Sequence, residues 1–201
     1  MKKLLYIFFF GLSTLTYSQT KPIDSLKFIN QDRIKTDLIK ITQTPKSRNY
    51  QNIKTLNTVA DYIKFELGKV SDSTTFQPYQ VNGKTYKNVI GSIGTNHKER
   101  IIIGAHYDVF GNQQGADDNA SGVSGLLELA RLLSKEELNY RIDFVAYTLE
   151  EPPFFRTQQM GSYIHANYLQ VNNIPVKGMI CLEMIGYYSN KKGSQNYPIS
   201  E

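Results

Sequence analysis

The sequence predicts an α/β domain built on a mixed, largely parallel sheet with helices on both faces. Three observations carry this. Short continuous apolar runs at 100–105, 142–147 and 176–182 alternate with segments of helical spacing, the pattern of parallel strands covered on both sides. Two amphipathic helical stretches precede them. Between the two groups lie two strand-like runs separated by Asn82-Gly83, the strongest short-range hairpin signal, which adds antiparallel strands to the sheet.

The elements follow in order. Lys2 and Lys3 precede an apolar run from Leu4 to Leu12, and Thr16 and Ser18 sit three and one residues before a cut ahead of Gln19. Residues 1–18 thus read as a secretory signal peptide, so the chain is secreted or periplasmic, with a mature domain over 19–201. The apolar run is too short for a permanent span and no cysteine follows it, so no membrane anchor is predicted. A helix is predicted over Asp24–Ile41, from Leu26, Ile29, Ile34, Leu38 and Ile41, with Pro22 and Asp24 as start signals. Thr44-Pro45-Lys46-Ser47 breaks it, and a second helix over Gln51–Leu67 closes at Gly68. The strands of the hairpin are Thr74–Val81 and Lys87–Ile93. Strand Arg100–Ala105, helix Ser121–Leu133, strand Ile142–Tyr147, helix Gly161–Leu169 and strand Val176–Leu182 complete the walk.

Composition excludes some classes. Loss of Lys2 and Lys3 with the signal peptide lowers the formal charge from +5 to +3. The lysines are scattered without an aromatic-interleaved stripe, so nucleic acid is not a predicted partner. The one cysteine, Cys181, cannot form an internal disulfide; within its apolar run it reads as a small core residue.

In such sheets ligands bind beyond the carboxyl ends of the strands. The first of the three strands runs into Gly104-Ala105-His106-Tyr107-Asp108, and a loop then brings Gly115-Ala116-Asp117-Asp118-Asn119-Ala120-Ser121-Gly122 to a helix start. The second ends in Glu150-Glu151-Pro152-Pro153 and the third in Leu182-Glu183-Met184-Ile185-Gly186. Singly, each has a plain alternative: a strand-end histidine, helix-capping acids, a surface Glu pair, a loop acid. Jointly they deliver carboxylates and a histidine to one sheet edge. Such carboxylates resist common ionisation unless a cation holds them, and a mixed His and carboxylate set suits zinc.

These strings resemble metallopeptidase family 28, the co-catalytic zinc enzymes that include aminopeptidases and glutamate carboxypeptidase. The likeness runs from about Asn88 to Tyr187. It implies a zinc-exopeptidase fold, two zincs and a peptide substrate. It also implies that His106, Asp118 and Glu183 bind one zinc, that Asp118 bridges to a second held by Glu151, that Asp108 orients the imidazole and that Glu150 is the general base. Many members of the family carry Asp where this chain has Glu183. The family pattern further calls for a later histidine ligand, whereas no histidine follows Glu183. The sequence is therefore read as a zinc peptidase domain whose C-terminal part is missing. Three functional classes stay open: an exopeptidase of the aminopeptidase type, a glutaminyl-cyclase-like acyltransferase with a single zinc, and an inactive metal-binding chain.

Overall fold

The computed structural model describes residues 29–194; the signal-peptide reading of residues 1–18 and the first turn predicted for the opening helix lie outside them. In chain order the elements are α1 (Gln31–Thr42), α2 (Ile53–Gly68), β1 (Ser73–Val81), β2 (Lys84–Ile93), β3 (Arg100–His106), α3 (Gly122–Leu133), β4 (Arg141–Tyr147), α4 (Gly161–Val171) and β5 (Val176–Cys181).

Helix α1 starts later than its apolar spacing predicts. Ile29 and Asn30 are not helical, and the Asn30 side chain caps the helix by accepting from Arg33 N at 3.0 Å. The Asn30 amide is drawn off to Glu128 Oε1 on α3, so a long-range bond sets this boundary. Helix α2 buries Leu56, Val59, Ala60, Ile63 and Leu67 along one stripe, as its spacing predicts. Asn82 and Gly83 both have positive φ, 50° and 73°, and pair Val81 with Lys84 in a two-residue hairpin.

The sheet order is β1-β2-β4-β3-β5, with β4, β3 and β5 mutually parallel and the hairpin β1-β2 antiparallel beside β4. Alternate residues of the central strands face opposite layers. Ile103, Ala105, Phe144 and Ala146 join α2 and α3 in the main core, whereas Ile102, Val145 and Tyr147 pack with Leu169 of α4. Burying Phe144 completely contributes on the order of 2–3 kcal/mol. The chain is thus a mixed α/β sheet flanked on both faces by helices.

Strand β5 corrects one expectation. Its apolar run forms a parallel strand, but every residue of it is exposed, and Cys181 is an exposed free thiol rather than a core residue. The strand lies at the sheet edge against β3 alone, and among the described residues no helix covers its side chains. Local apolarity predicts pairing; it does not say what lies over the strand.

Candidate metal centre

His106 is the last residue of β3 and is buried. Its Nδ1 faces two acceptors of Asp108, the carbonyl oxygen at 3.2 Å and carboxylate Oδ1 at 3.4 Å. A neutral imidazole therefore keeps its proton on Nδ1 and presents a lone pair at Nε2. Asp108 is itself buried, and its two oxygens accept from Glu150 N at 3.3 Å and Glu151 N at 3.2 Å. One carboxylate thus joins the end of β3 to the loop after β4. Beyond β5, Leu182 N donates to Gly104 O at 2.8 Å, which delivers Glu183 next to the same strand end.

His106 Nε2 lies 3.1 Å from Asp118 Oδ1 and 3.5 Å from Glu183 Oε1. Ligand atoms of His106, Asp118 and Glu151 all fall within 4.8 Å of one another. Glu150 diverges from its neighbour. Its two oxygens accept from Ser162 N and Ser162 Oγ, both at 2.7 Å, at the start of α4. The structure therefore brings His106, Asp118, Glu150, Glu151 and Glu183 to one cleft of about 610 Å³, with Tyr147, Phe155 and Met179 among its walls, and buries Asp108 behind His106.

Asp118 is delivered by a turn of helical hydrogen bonding over Ala116–Ser121 that kinks at Asp118 and Asn119, which are joined by a cis peptide bond. The predicted helix start at Ser121 holds, since Ser121 has helical dihedrals and runs directly into α3. Gly115 enters this turn with φ 57°, and a Cβ there would strike the Asp118 carbonyl and Val109. Arg48, which sequence reasoning missed, is fully buried. It donates from Nε to Tyr107 O at 2.8 Å and from Nη2 to Gly115 O at 2.5 Å, with Gln114 O as a third acceptor. Nothing in its local sequence marks it, since its partners are carbonyls some sixty residues away. Ser162 and Asn119 were likewise not singled out.

The electrostatics follow from this crowding. Burial alone would lower the His106 pKa, but contact with Asp108, Asp118 and Glu183 outweighs it and pushes the imidazole up to about 12. The contact with His106 lowers that of Asp118 against its own burial. Glu151 is pushed up to about 7, first by burial and then by the charge of Asp118. Burial raises Glu150 as well, opposed by the two bonds from Ser162. Asp118 Oδ1 is shielded from solvent yet receives no aligned hydrogen bond, His106 Nε2 at 3.1 Å included. A buried carboxylate oxygen without an aligned donor, facing an imidazole and two further carboxylates, fits a divalent cation, and the mixed nitrogen and oxygen donors suit zinc.

Fold and site together define an α/β protein with a His/carboxylate cluster, able to hold a metal ion, at the carboxyl edge of its sheet. The profile of Peptidase family M28 matches residues 88–199, more than half of the chain, and the chain belongs to that family. It is 49% identical over 166 residues to the uncharacterized protein YfbL of Escherichia coli, covering 79% of this chain and 50% of that protein. It is 27% identical over 126 residues to aminopeptidase YwaD of Bacillus subtilis, covering 57% and 27% respectively. The chain therefore spans half or less of the length of these curated relatives. Among solved structures, LapB of Legionella pneumophila superposes with a TM-score of 0.68 at 29% identity, over 82% of this chain and 46% of that one. The glutaminyl cyclase of Bacteroides thetaiotaomicron shares the fold with a TM-score of 0.65 at 24% identity, over 78% and 62%.

Proposed function

We propose that the site is that of a zinc-dependent exopeptidase of the aminopeptidase type, exported from the cytoplasm and acting on peptides. The observation that carries this is the divergence of the adjacent acids: Glu151 joins His106 and Asp118 within 4.8 Å, while Glu150 is held apart by Ser162 in the same cleft. In this reading His106, Asp118 and Glu183 hold one zinc. Asp118 and Glu151 would hold a second zinc, and Asp108 would orient the imidazole. Zinc bound there supplies Lewis-acid polarisation of the scissile carbonyl. Glu150, whose pKa burial raises so that its ionised carboxylate is the stronger base, would take the proton of the attacking water and pass it to the leaving amine. Asp108 supports both halves of this arrangement, since it fixes the Nδ1 proton of His106 and accepts both Glu backbone amides.

Export is supported by the Lys2-Lys3 start, the apolar run and the small residues before Gln19. Among the described residues no helix is long and apolar enough to cross a membrane. The Glu150–Glu151 pair and the Asp117-Asp118-Asn119 string favour the peptidase over a glutaminyl cyclase, with which the shared fold alone is common ground. Zinc stoichiometry, measured with hydrolysis of an aminoacyl chromogen and cyclisation of an N-terminal glutaminyl peptide, tests the reading. Zinc lost on His106→Ala, with any turnover confined to the chromogen, supports it. A chain that binds no zinc, or that cyclises the glutaminyl peptide, refutes it.

A further inference from the structure

The string that supplies Asp118 does a second thing in the fold. Its alternate members Asp117, Asn119 and Ser121 face the segment after β5. Met184 N donates to Asn119 Oδ1 at 3.2 Å, Ile185 N to Ser121 Oγ at 3.1 Å and Gly186 N to Asp117 Oδ1 at 2.8 Å. Three consecutive amides of an irregular segment are thus each taken by a different side chain of one five-residue stretch. Asn119 also donates from Nδ2 to Leu182 O at 2.8 Å and to Glu183 Oε2 at 3.0 Å. The approach is close enough to require small residues. A Cβ on Gly186 would stand 2.9 Å from Ser121 Cβ and 3.0 Å from Asp117 Oδ1, and one on Gly122 would meet Leu182 O at 2.5 Å.

We propose that Asp117, Asn119 and Ser121 are positioning residues that clamp segment 182–186 and so set Glu183 beside His106. The inference rests on the reading of Glu183 as a zinc ligand. Asn119 has the sharpest part in it. Its amide occupies Glu183 Oε2, which leaves Oε1, 3.5 Å from His106 Nε2, as the oxygen offered to the metal. Asn119 is fully buried and its own carbonyl oxygen is taken by Gly122 N and Met184 N, so the amide has one orientation that satisfies all its neighbours. No charge of its own reaches the metal; its effect passes through Glu183.

The test uses Asn119→Asp, which keeps the acceptor for Met184 and replaces the donor facing Glu183 by an oxygen. Zinc affinity is read by competition with a chromophoric chelator, in the Glu183 chain and in Glu183→Ala. Asn119→Asp should weaken zinc about 10–100-fold when Glu183 is present, the usual scale for a residue behind a ligand. In Glu183→Ala the same change should cost within about twofold, because the coupled partner is gone. Equal losses in both backgrounds overturn the positioning role. The milder Ser121→Ala should weaken zinc in the same Glu183-dependent manner if Asn119→Asp does not fold. Amide exchange of the metal-free chain gives an independent readout: Met184, Ile185 and Gly186 should be protected, and Asp117→Ala should release Gly186. Free exchange of these amides in the wild-type chain overturns the clamp. Should the wild-type chain bind no zinc, the functional reading falls, and the clamp is then decided by the exchange data alone.

Discussion

Zinc uptake by this site must displace protons, and their number follows from the contacts. The metal-free His106 is held in its protonated form by Asp108, Asp118 and Glu183, with its pKa pushed up to about 12 against the effect of burial. At pH 8 its imidazole therefore carries two protons, whereas a zinc ligand needs a free Nε2. One proton must leave from His106, so apparent affinity should rise about tenfold per pH unit. Glu151, pushed up to about 7 by burial and by Asp118, is largely ionised at pH 8 and adds little there. At pH 6 it is protonated as well. Because the tight site of this reading is His106, Asp118 and Glu183, uptake there should still release about one proton, and a second proton released at pH 6 would report Glu151 joining the metal. Calorimetry of zinc binding at each pH in buffers of different ionisation enthalpy reads the proton count directly. The sign is fixed, because a raised pKa on any ligand makes binding weaker as pH falls. Release of no proton at pH 8 would refute the reasoning, since it would mean that the three carboxylates do not surround His106 in solution.

Glu150→Gln should leave zinc content near the wild-type value while lowering whatever turnover the chain shows by roughly two to four orders of magnitude, the scale of a lost general base. Loss of zinc with Glu150→Gln but not with Glu151→Gln would exchange the two roles. A polypeptide of these 201 residues should hold at most one zinc tightly by metal analysis and show little or no peptidase activity, because in the proposed reading one zinc has three ligands, His106, Asp118 and Glu183, and the other only Asp118 and Glu151. Two tightly held zincs would contradict this count. In the last turn of α3, Arg131 pairs with Asp37 at 2.6 Å, Glu66 at 2.9 Å and Glu128 at 3.4 Å. Arg131→Met should cost about 3–5 kcal/mol, because it leaves the buried Asp37 without its cation, with the Tyr62 hydroxyl as a remaining donor, a loss readable by urea unfolding. Glu66 and Glu128 are held below the ordinary 4.5, by Lys69 and Arg131 for the first and chiefly by Arg33 for the second, against the opposing effect of burial. Their stabilisation is full above about pH 4.5 and is lost as pH falls through their lowered values. The acid limb of the wild-type stability profile should therefore be steeper than that of Arg131→Met.

Different parts of this molecule were legible to different degrees, and the reason lies in what each residue has to supply. The strands and α2 could be read because burial repeats with their geometry: Leu56, Val59, Ala60, Ile63 and Leu67 line one stripe, and Phe144 and Val145 face opposite layers. The chemical groups could be read because only a few residue types can supply them. His106, Asp118, Glu150, Glu151 and Glu183 each lie at a strand end or a helix start at the carboxyl edge of the sheet, and the cleft gathers them there with Asp108 buried behind His106. What could not be read is the support. Arg48 needs only carbonyl oxygens, and any segment has those; Ser162 needs only a carboxylate within reach of a helix start. Their partners are fixed by the finished fold, so no spacing in the sequence announces them. The exposure of β5 was illegible for the same reason, since an apolar run states its own preference and not its neighbour's position. The Asp117–Ser121 stretch combines both kinds. Asp118 could be picked out through the resemblance of the Asp117–Ser121 string to the family, which implies a ligand at the second acid, while nothing in the sequence assigned Asp117, Asn119 and Ser121 roles of their own. Yet the kink at Asp118 and Asn119 sends Asp118 toward His106 and the alternate members toward 184–186. A single short string can thus present one ligand and fix the backbone of another, which ties the geometry of Glu183 to that of Asp118 through bonds no longer than 3.2 Å.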